Sequence, residues 1–382
     1  MKQHVALVVW ALAPALALGA PTVEETGPVS TGLAGAVTAR ALGPTALAHN
    51  PAGMALAAGM ALDVGGGARL TVYQAGTPPA SGAAAVDGLR RDARSAVALD
   101  VPPAVFGSIT RGPLTLGAGL SAATLHTLQW TGSNTALRLW LTHAGLAWRQ
   151  GPVKVGASIL GAGGWHRAAT QGPGAGVGAL AGVLLEALPS LTVGAAFQTR
   201  LGVAFAATAP GSLWSACLRT PAGCGGPANP GPYALLADSL RVGLAWQVRP
   251  TTAWMMDASL TLWGLQGSQA ALALGAPGVR LRDTLTVRTG VEQALFFLAP
   301  DLKARVGAVY AQSPVVWGKA SRQAPLGDRV AISAGLGWRI YGVTLDAGYL
   351  AEVSLPRAGE DGRWYRGTSH TWSAGVGYRL AP

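Results

Sequence analysis

The chain has 382 residues and a formal net charge of +11, and half of its residues are hydrophobic while only 12% are charged. A soluble domain carries about twice that share of charge, and a mean hydropathy of +0.33 excludes a disordered chain, which is rich in charge and poor in apolar residues. The 54 glycines keep no period of three, which excludes collagen, and the basic residues sit singly rather than in stripes, which argues against nucleic acid as a partner.

Residues 1–20 read as a secretory signal. Lys2 supplies the positive start, and Val5 to Leu18 form an apolar run of about 14 residues, too short for a comfortable membrane span. Gly19 and Ala20 provide a cleavage zone; an uncleaved anchor helix is the alternative. No lipoprotein cysteine follows. Residues 21–58 then form a segment rich in Gly, Ala and Pro without strand character, and 59–382 change pattern altogether.

In that last part no apolar stretch runs uninterrupted for a helical span. In lipid every backbone group needs an internal partner, so helices and closed barrels alone can cross. The C-terminal third alternates with period two, the mark of a strand. Val330, Ile332, Ala334, Leu336, Trp338 and Ile340 share one face, and Arg329, Ser333, Gly335, Gly337 and Arg339 share the other. Leu302, Ala304, Val306, Ala308 and Tyr310 oppose Lys303, Arg305 and Gly307, and Trp372 to Leu380 repeat the pattern. A soluble sandwich would alternate in the same way. For a barrel the orientation follows from magnitude: Arg or Lys facing lipid at mid-bilayer costs about 2–4 kcal/mol, so the apolar faces look outward and Lys303 and Arg305 inward.

Strands are expected near 60–73, 98–110, 113–125, 137–149, 153–163, 174–187, 191–205, 239–248, 252–263, 284–295, 302–311, 329–340, 343–353 and 371–380. The sixth alternates poorly, being almost all small or apolar. Tight turns at 111–113, 150–152, 188–190, 249–251, 299–301 and 341–342 alternate with longer stretches at 74–97, 126–136, 164–173, 206–238, 264–283, 312–328 and 354–370. Outer-membrane barrels have short periplasmic turns, long extracellular loops and an even strand number. The fold class expected is therefore an all-β, antiparallel transmembrane barrel of about 14 strands. Trp148, Trp246, Trp338 and Tyr378 fall near the short-turn ends, and Trp140, Tyr310, Tyr349 and Trp372 near the others, as two interfacial aromatic belts would require. Cys217 and Cys224 share a long loop, where an exported chain could join them in a disulfide or keep two thiols.

Just before the first strand the chain reads Gly43-Pro44-Thr45-Ala46-Leu47-Ala48-His49-Asn50-Pro51-Ala52-Gly53-Met54, with the small-residue run Ser30-Thr31-Gly32-Leu33-Ala34-Gly35-Ala36 upstream. Val101-Pro102-Pro103, Phe106-Gly107 and Leu116-Gly117-Ala118-Gly119 follow. These segments resemble the FadL family of outer-membrane transporters, which includes toluene channels. The resemblance implies a fourteen-stranded barrel plugged by its N-terminal segment, the hatch, with Asn50, Pro51, Ala52 and Gly53 as hatch residues. It implies passive uptake of hydrophobic molecules, fatty acids or aromatic hydrocarbons, without cofactor, by a monomer among the lipids of a Gram-negative outer membrane. It also implies a sideways exit past a kinked strand.

Gly117 and Gly119 then read either as a lateral opening or as inward space for the hatch, since glycine in a strand marks a bend or a close approach. Arg288, Lys303, Arg305 and Arg339 face inward with Glu292; they could hold a carboxylate or pair with acids of the wall and plug. His49, His126, His143, His166 and His370 lack metal-site spacing, and no Ser/His/Asp set emerges from spacing, so catalysis is not expected. A general diffusion porin and a scaffold barrel that binds a partner are the competing readings.

Overall fold

The computed structural model describes residues 27–40, 43–56, 59–76, 95–100, 103–130, 133–167, 173–205, 233–264, 281–320 and 327–380. Its strands form one closed antiparallel sheet of fourteen. In chain order they are β1 (Met60–Gly76), β2 (Ser95–Asp100 and Pro103–Arg111), β3 (Leu114–Trp130), β4 (Ser133–Gln150), β5 (Val153–Arg167) and β6 (Pro173–Leu188). Then come β7 (Leu191–Gln198 and Leu201–Phe205), β8 (Tyr233–Leu236 and Asp238–Arg249), β9 (Thr252–Leu262) and β10 (Thr284–Ala294). The last four are β11 (Leu302–Ala311), β12 (Arg329–Ile340), β13 (Val343–Ala358) and β14 (Trp364–Leu380). Each strand pairs with the next, and β14 closes on β1 from Met60↔Leu380 to Gly76↔Trp364. Closure removes both sheet edges, which lipid does not tolerate unpaired.

The alternation acts as the magnitude argument requires. Val306, Ile332, Leu336 and Val376 lie half-exposed on the outer wall, whereas Arg305, Ser333 and Thr371 are buried inside. Trp148, Trp246, Trp338 and Tyr378 are exposed on the outer face near the short turns, and Trp140, Tyr310 and Trp372 near the far ends.

Several expected loops are strand. β3 and β4 run on to Trp130 and Ser133, β5 and β6 to Arg167 and Pro173, and β13 and β14 leave only residues 359–363 between them. Beyond the bilayer a strand no longer needs an apolar outer face, so the period-two signal fades while the ladder continues. The turn expected at 299–301 is longer, because β10 ends at Ala294 and β11 starts at Leu302. Cys217 and Cys224, and the signal segment 1–20, lie outside the described residues.

Two irregularities shape the wall. β7 breaks at Thr199–Arg200, where the Thr199 hydroxyl accepts the Ala179 N–H at 2.8 Å. The register against β6 shifts by one residue between Leu180↔Gln198 and Ala175↔Ala204. Past the break Leu201 and Val203 point inward and are fully buried. The described pairing between β2 and β3 ends at Ala104↔Ser121, although β3 continues to pair with β4 as far as Trp130↔Ser133.

Candidate functional site: the hatch seat and the lumen above it

Residues 27–40 and 43–56 lie inside the barrel. They form a short helix (Pro28–Gly32), a reversal, and two 3-10 turns (Gly43–Ala48 and Pro51–Leu56). Almost all of this segment is buried, with Leu33, Leu47 and Met54 fully so. Each such side chain gains about 1.5–3 kcal/mol over exposure.

The wall makes room with glycine. Six cross-strand glycine pairs face the hatch: Gly65↔Gly375, Gly335↔Gly348, Gly290↔Gly307, Gly194↔Gly243, Gly156↔Gly182 and Gly117↔Gly145. They occupy every strand except β2 and β9. An added Cβ would meet hatch atoms: the Pro28 carbonyl oxygen at 2.5 Å from Gly348, the Leu33 carbonyl carbon at 2.6 Å from Gly307, and the Thr38 carbonyl oxygen at 2.6 Å from Gly194. The weak alternation of β6 comes from its glycine-rich inner face, Gly174, Gly176, Gly178 and Gly182: Gly182 makes room for Asn50 of the hatch, whereas a Cβ on Gly176 would meet the Gly202 backbone and Val203 and one on Gly178 the Arg200 carbonyl and Leu201 of β7.

Where glycine is absent, polar groups tie the plug. On β9 the Asp257 carboxylate accepts the backbone N–H groups of Val37 and Thr38, both at 2.8 Å. The Asn50 side-chain amide donates to the Thr38 carbonyl at 2.8 Å and to the Val183 carbonyl of β6 at 3.2 Å. Its oxygen accepts the Ala52 N–H at 3.2 Å and so closes an Asx turn. The Asn-Pro-Ala-Gly motif is thus a turn and a tether at once. Its two neighbours on the wall are glycines of one pair: a Cβ on Gly156 would sit 2.5 Å from the Pro51 carbonyl carbon, and one on Gly182 would overlap the Asn50 amide.

The four inward cations are not one cluster, because the hatch separates them. Lys303, Arg305 and Arg339 lie on its short-turn side. There Arg40 of the hatch meets Glu292 at 2.5 Å, and Lys303 and Arg305 meet the same carboxylate at 3.0 and 2.8 Å. Arg305 also meets Asp346 at 2.6 Å. Lys303 and Arg305 are therefore engaged with the acids that hold the plug. Two cavities of about 270 and 430 Å³ open on this side, both reaching Arg40 and Lys303, and Arg339 lines the first.

Arg288 lies on the opposite, long-connection side, buried and donating to the Ser259 hydroxyl at 2.9 Å. Beside it, on β7 to β10, stand Gln198, Ser239, Arg241, Ser259, Thr284 and Thr286, all inward and buried. The other wall is apolar: Leu139, Leu141, Ala162, Leu201, Val203 and Leu236 pack as one cluster, and Leu160, Leu180 and Ala196 as another nearer the hatch. Sequence spacing did not reveal this division. The inward turn of Leu201 and Val203 depends on the β7 break, which no local residue pattern announces.

Gly117 and Gly119 both lie in closed wall. Gly117 pairs with Ser108 and Gly145, and Gly119 with Phe106 and His143. The space over Gly117 holds Met54 and Leu47, and that over Gly119 holds the Phe106 ring. Among the described residues the last pair of the β2–β3 ladder, Ala104↔Ser121, lies farther along. Ser121 and His143 make a hydrogen bond of 3.1 Å in the wall beside Phe106; no carboxylate joins them among the described residues.

No family model and no curated sequence matches the chain. Solved structures do. A Pseudomonas aeruginosa FadL homologue superposes with a TM-score of 0.68 at 14% identity, covering 96% of this chain and 100% of its own. The Pseudomonas putida toluene transporter TodX gives 0.65 at 14%, covering 94% and 98%. The Ralstonia pickettii toluene transporter TbuX gives 0.64 at 15%, covering 94% and 99%. At such identities the likeness is one of fold, and this chain has the FadL-type fold over nearly its whole length.

Proposed function

We propose that this FadL-type barrel takes up hydrophobic molecules across a Gram-negative outer membrane, and that its preferred cargo carries a carboxylate on an apolar body. One observation carries this reading: above the hatch the lumen has an apolar wall on one side and, across it, Arg288 and Arg241 among hydroxyl groups. A neutral hydrocarbon needs only the first wall. A carboxylated amphiphile uses both, since a charge-assisted hydrogen bond contributes about 1.5–3 kcal/mol. Cargo enters from the long-connection side, lies along Leu139, Leu141 and Leu201 with its head at Arg288, and leaves sideways between β2 and β3 beyond Ala104↔Ser121, the last ladder pair among the described residues. The seated hatch closes the direct path. That seating favours a gated transporter over a general diffusion porin, whose lumen stands open.

Arg288→Met tests the reading, because it keeps the volume and removes the charge while leaving Arg241 beside Asp257. Long-chain carboxylate binding to purified barrel should weaken about 10- to 100-fold, and binding of the matching methyl ester should not change. Equal losses for acid and ester would sink the headgroup assignment.

A further inference from the structure

Three rows of inward residues descend β2, β3 and β4 toward the short turns. The uppermost is Ala104, Ser121 and Leu141, where the described β2–β3 ladder ends and the apolar lumen wall begins. Phe106, Gly119 and His143 form the next row, and Ser108, Gly117 and Gly145 the one below it. The hatch fills the lowest row. A Cβ on Gly117 would meet the Met54 sulfur at 2.5 Å and a Leu47 methyl at 3.0 Å, and one on Gly145 would meet the other Leu47 methyl at 2.9 Å. The middle row is therefore all that separates the seated plug from the sideways exit.

His143 is the polar residue of that row, and it is buried. Its Nε2 makes the 3.1 Å hydrogen bond with Ser121, at the last ladder pair. Its ring lies 5.3 Å from the Phe106 ring, which fills the space over Gly119 and packs with Leu47 and Met54 of the hatch. The imidazole faces the Leu47 backbone carbonyl, while Nδ1, the nitrogen not on Ser121, is buried without a hydrogen bond of good geometry. A neutral imidazole has one donor and one acceptor nitrogen. With the acceptor on the Ser121 hydroxyl, the Nδ1 proton looks to the hatch for its partner. Phe106 and Leu160, its other neighbours in the wall, offer none. One ring thus addresses the plug with one nitrogen and the edge of the exit with the other.

We propose that His143 is a positioning residue that couples the hatch to the sideways exit, a role that rests on the lateral release argued above. With the hatch seated, Leu47 and Phe106 hold the imidazole, and the imidazole holds Ser121 where β2 and β3 last pair. When the hatch lifts, the carbonyl withdraws from a buried N–H, the ring turns away, and Ser121 is released at the edge of the exit. The coupling is reciprocal, as any linkage between two sites must be, so loosening Ser121 loosens the plug.

That reciprocity gives the test. Ala55 of the hatch is buried, and Ala55→Cys in a Cys217→Ser/Cys224→Ser background reports hatch lifting as its rate of modification by a small water-soluble maleimide. Ser121→Ala should speed modification about 5- to 30-fold. Ser108→Ala is the control, since that buried serine lies in the hatch's own row but has no hydrogen-bond partner; it should leave the rate unchanged. His143→Gln keeps an amide near Nε2 and loses the group at Nδ1, and His143→Asn does the reverse. In either background the further effect of Ser121→Ala should shrink to less than about twofold. Heat-modifiable migration on gels shows which variants fold, and either His143 variant completes the cycle. No change on Ser121→Ala, an equal acceleration by Ser108→Ala, or the full Ser121 effect persisting without the imidazole would overturn the proposal. The cycle uses no cargo, so its failure leaves the uptake reading intact, and an empty barrel leaves the coupling intact.

Discussion

Replacing Gly156 and Gly182 together by valine should unseat the hatch while the barrel stays folded. The two residues face each other across β5 and β6 and grip the Asn50–Ala52 turn from the wall side. Their own backbones are fixed by ladder pairs on both flanks, so the plug has to move. Overpacking a tight interface costs about 1–3 kcal/mol per insertion, and the Asn50 tethers to Thr38 and Val183 would be lost as well. In planar bilayers the native chain should conduct little, and the double variant should show frequent large openings. Gly107 is a matched control, because a Cβ there meets nothing closer than 3.9 Å; Gly107→Val should leave conductance unchanged. Quiet traces from the double variant would mean that the wall, not the plug, yields.

Asp257→Ala should open the barrel by a different route. One carboxylate oxygen takes two hatch N–H groups, and the carboxylate stands against buried Arg241. Its removal leaves two buried donors and a buried cation uncompensated, which costs roughly 3–5 kcal/mol. That loss falls on the contact between hatch and wall, so conductance bursts should appear with no change in the outer strand ladder by infrared spectroscopy. Asp257→Asn keeps one acceptor and should give an intermediate burst frequency. A silent Asp257→Ala barrel would show that the glycine pairs alone seat the plug.

Much of this was legible in the residues because lipid imposes a strict rule. The period-two faces at 302–311, 329–340 and 371–380 predict the outward and inward sets that the structure has, and the short turns at 112–113 and 341–342 fall where expected. The Asn50-Pro51-Ala52-Gly53 motif stands within a segment that lies inside the barrel. Strand ends outside the bilayer were illegible, since nothing selects an apolar face there. The split of Arg288 from Lys303, Arg305 and Arg339 was illegible too. All four point inward, and only the height of the hatch along the barrel axis decides that Arg288 faces the long-connection lumen while Lys303, Arg305 and Arg339 lie beneath the plug, where Lys303 and Arg305 join the acids that hold it. Glycine spacing carried a signal that single strands conceal: it becomes a belt only once the register brings Gly156 opposite Gly182 and Gly290 opposite Gly307.

The proposed uptake function is tested most directly by what the purified barrel carries. Protein washed in detergent would be extracted with organic solvent and the extract identified by mass spectrometry. The account predicts a near-stoichiometric long-chain carboxylate, diminished in Arg288→Met and in a variant with Leu141 and Leu201 replaced by asparagine. A barrel that yields no such molecule, fails to bind added long-chain carboxylates and conducts ions steadily with its hatch intact would contradict it.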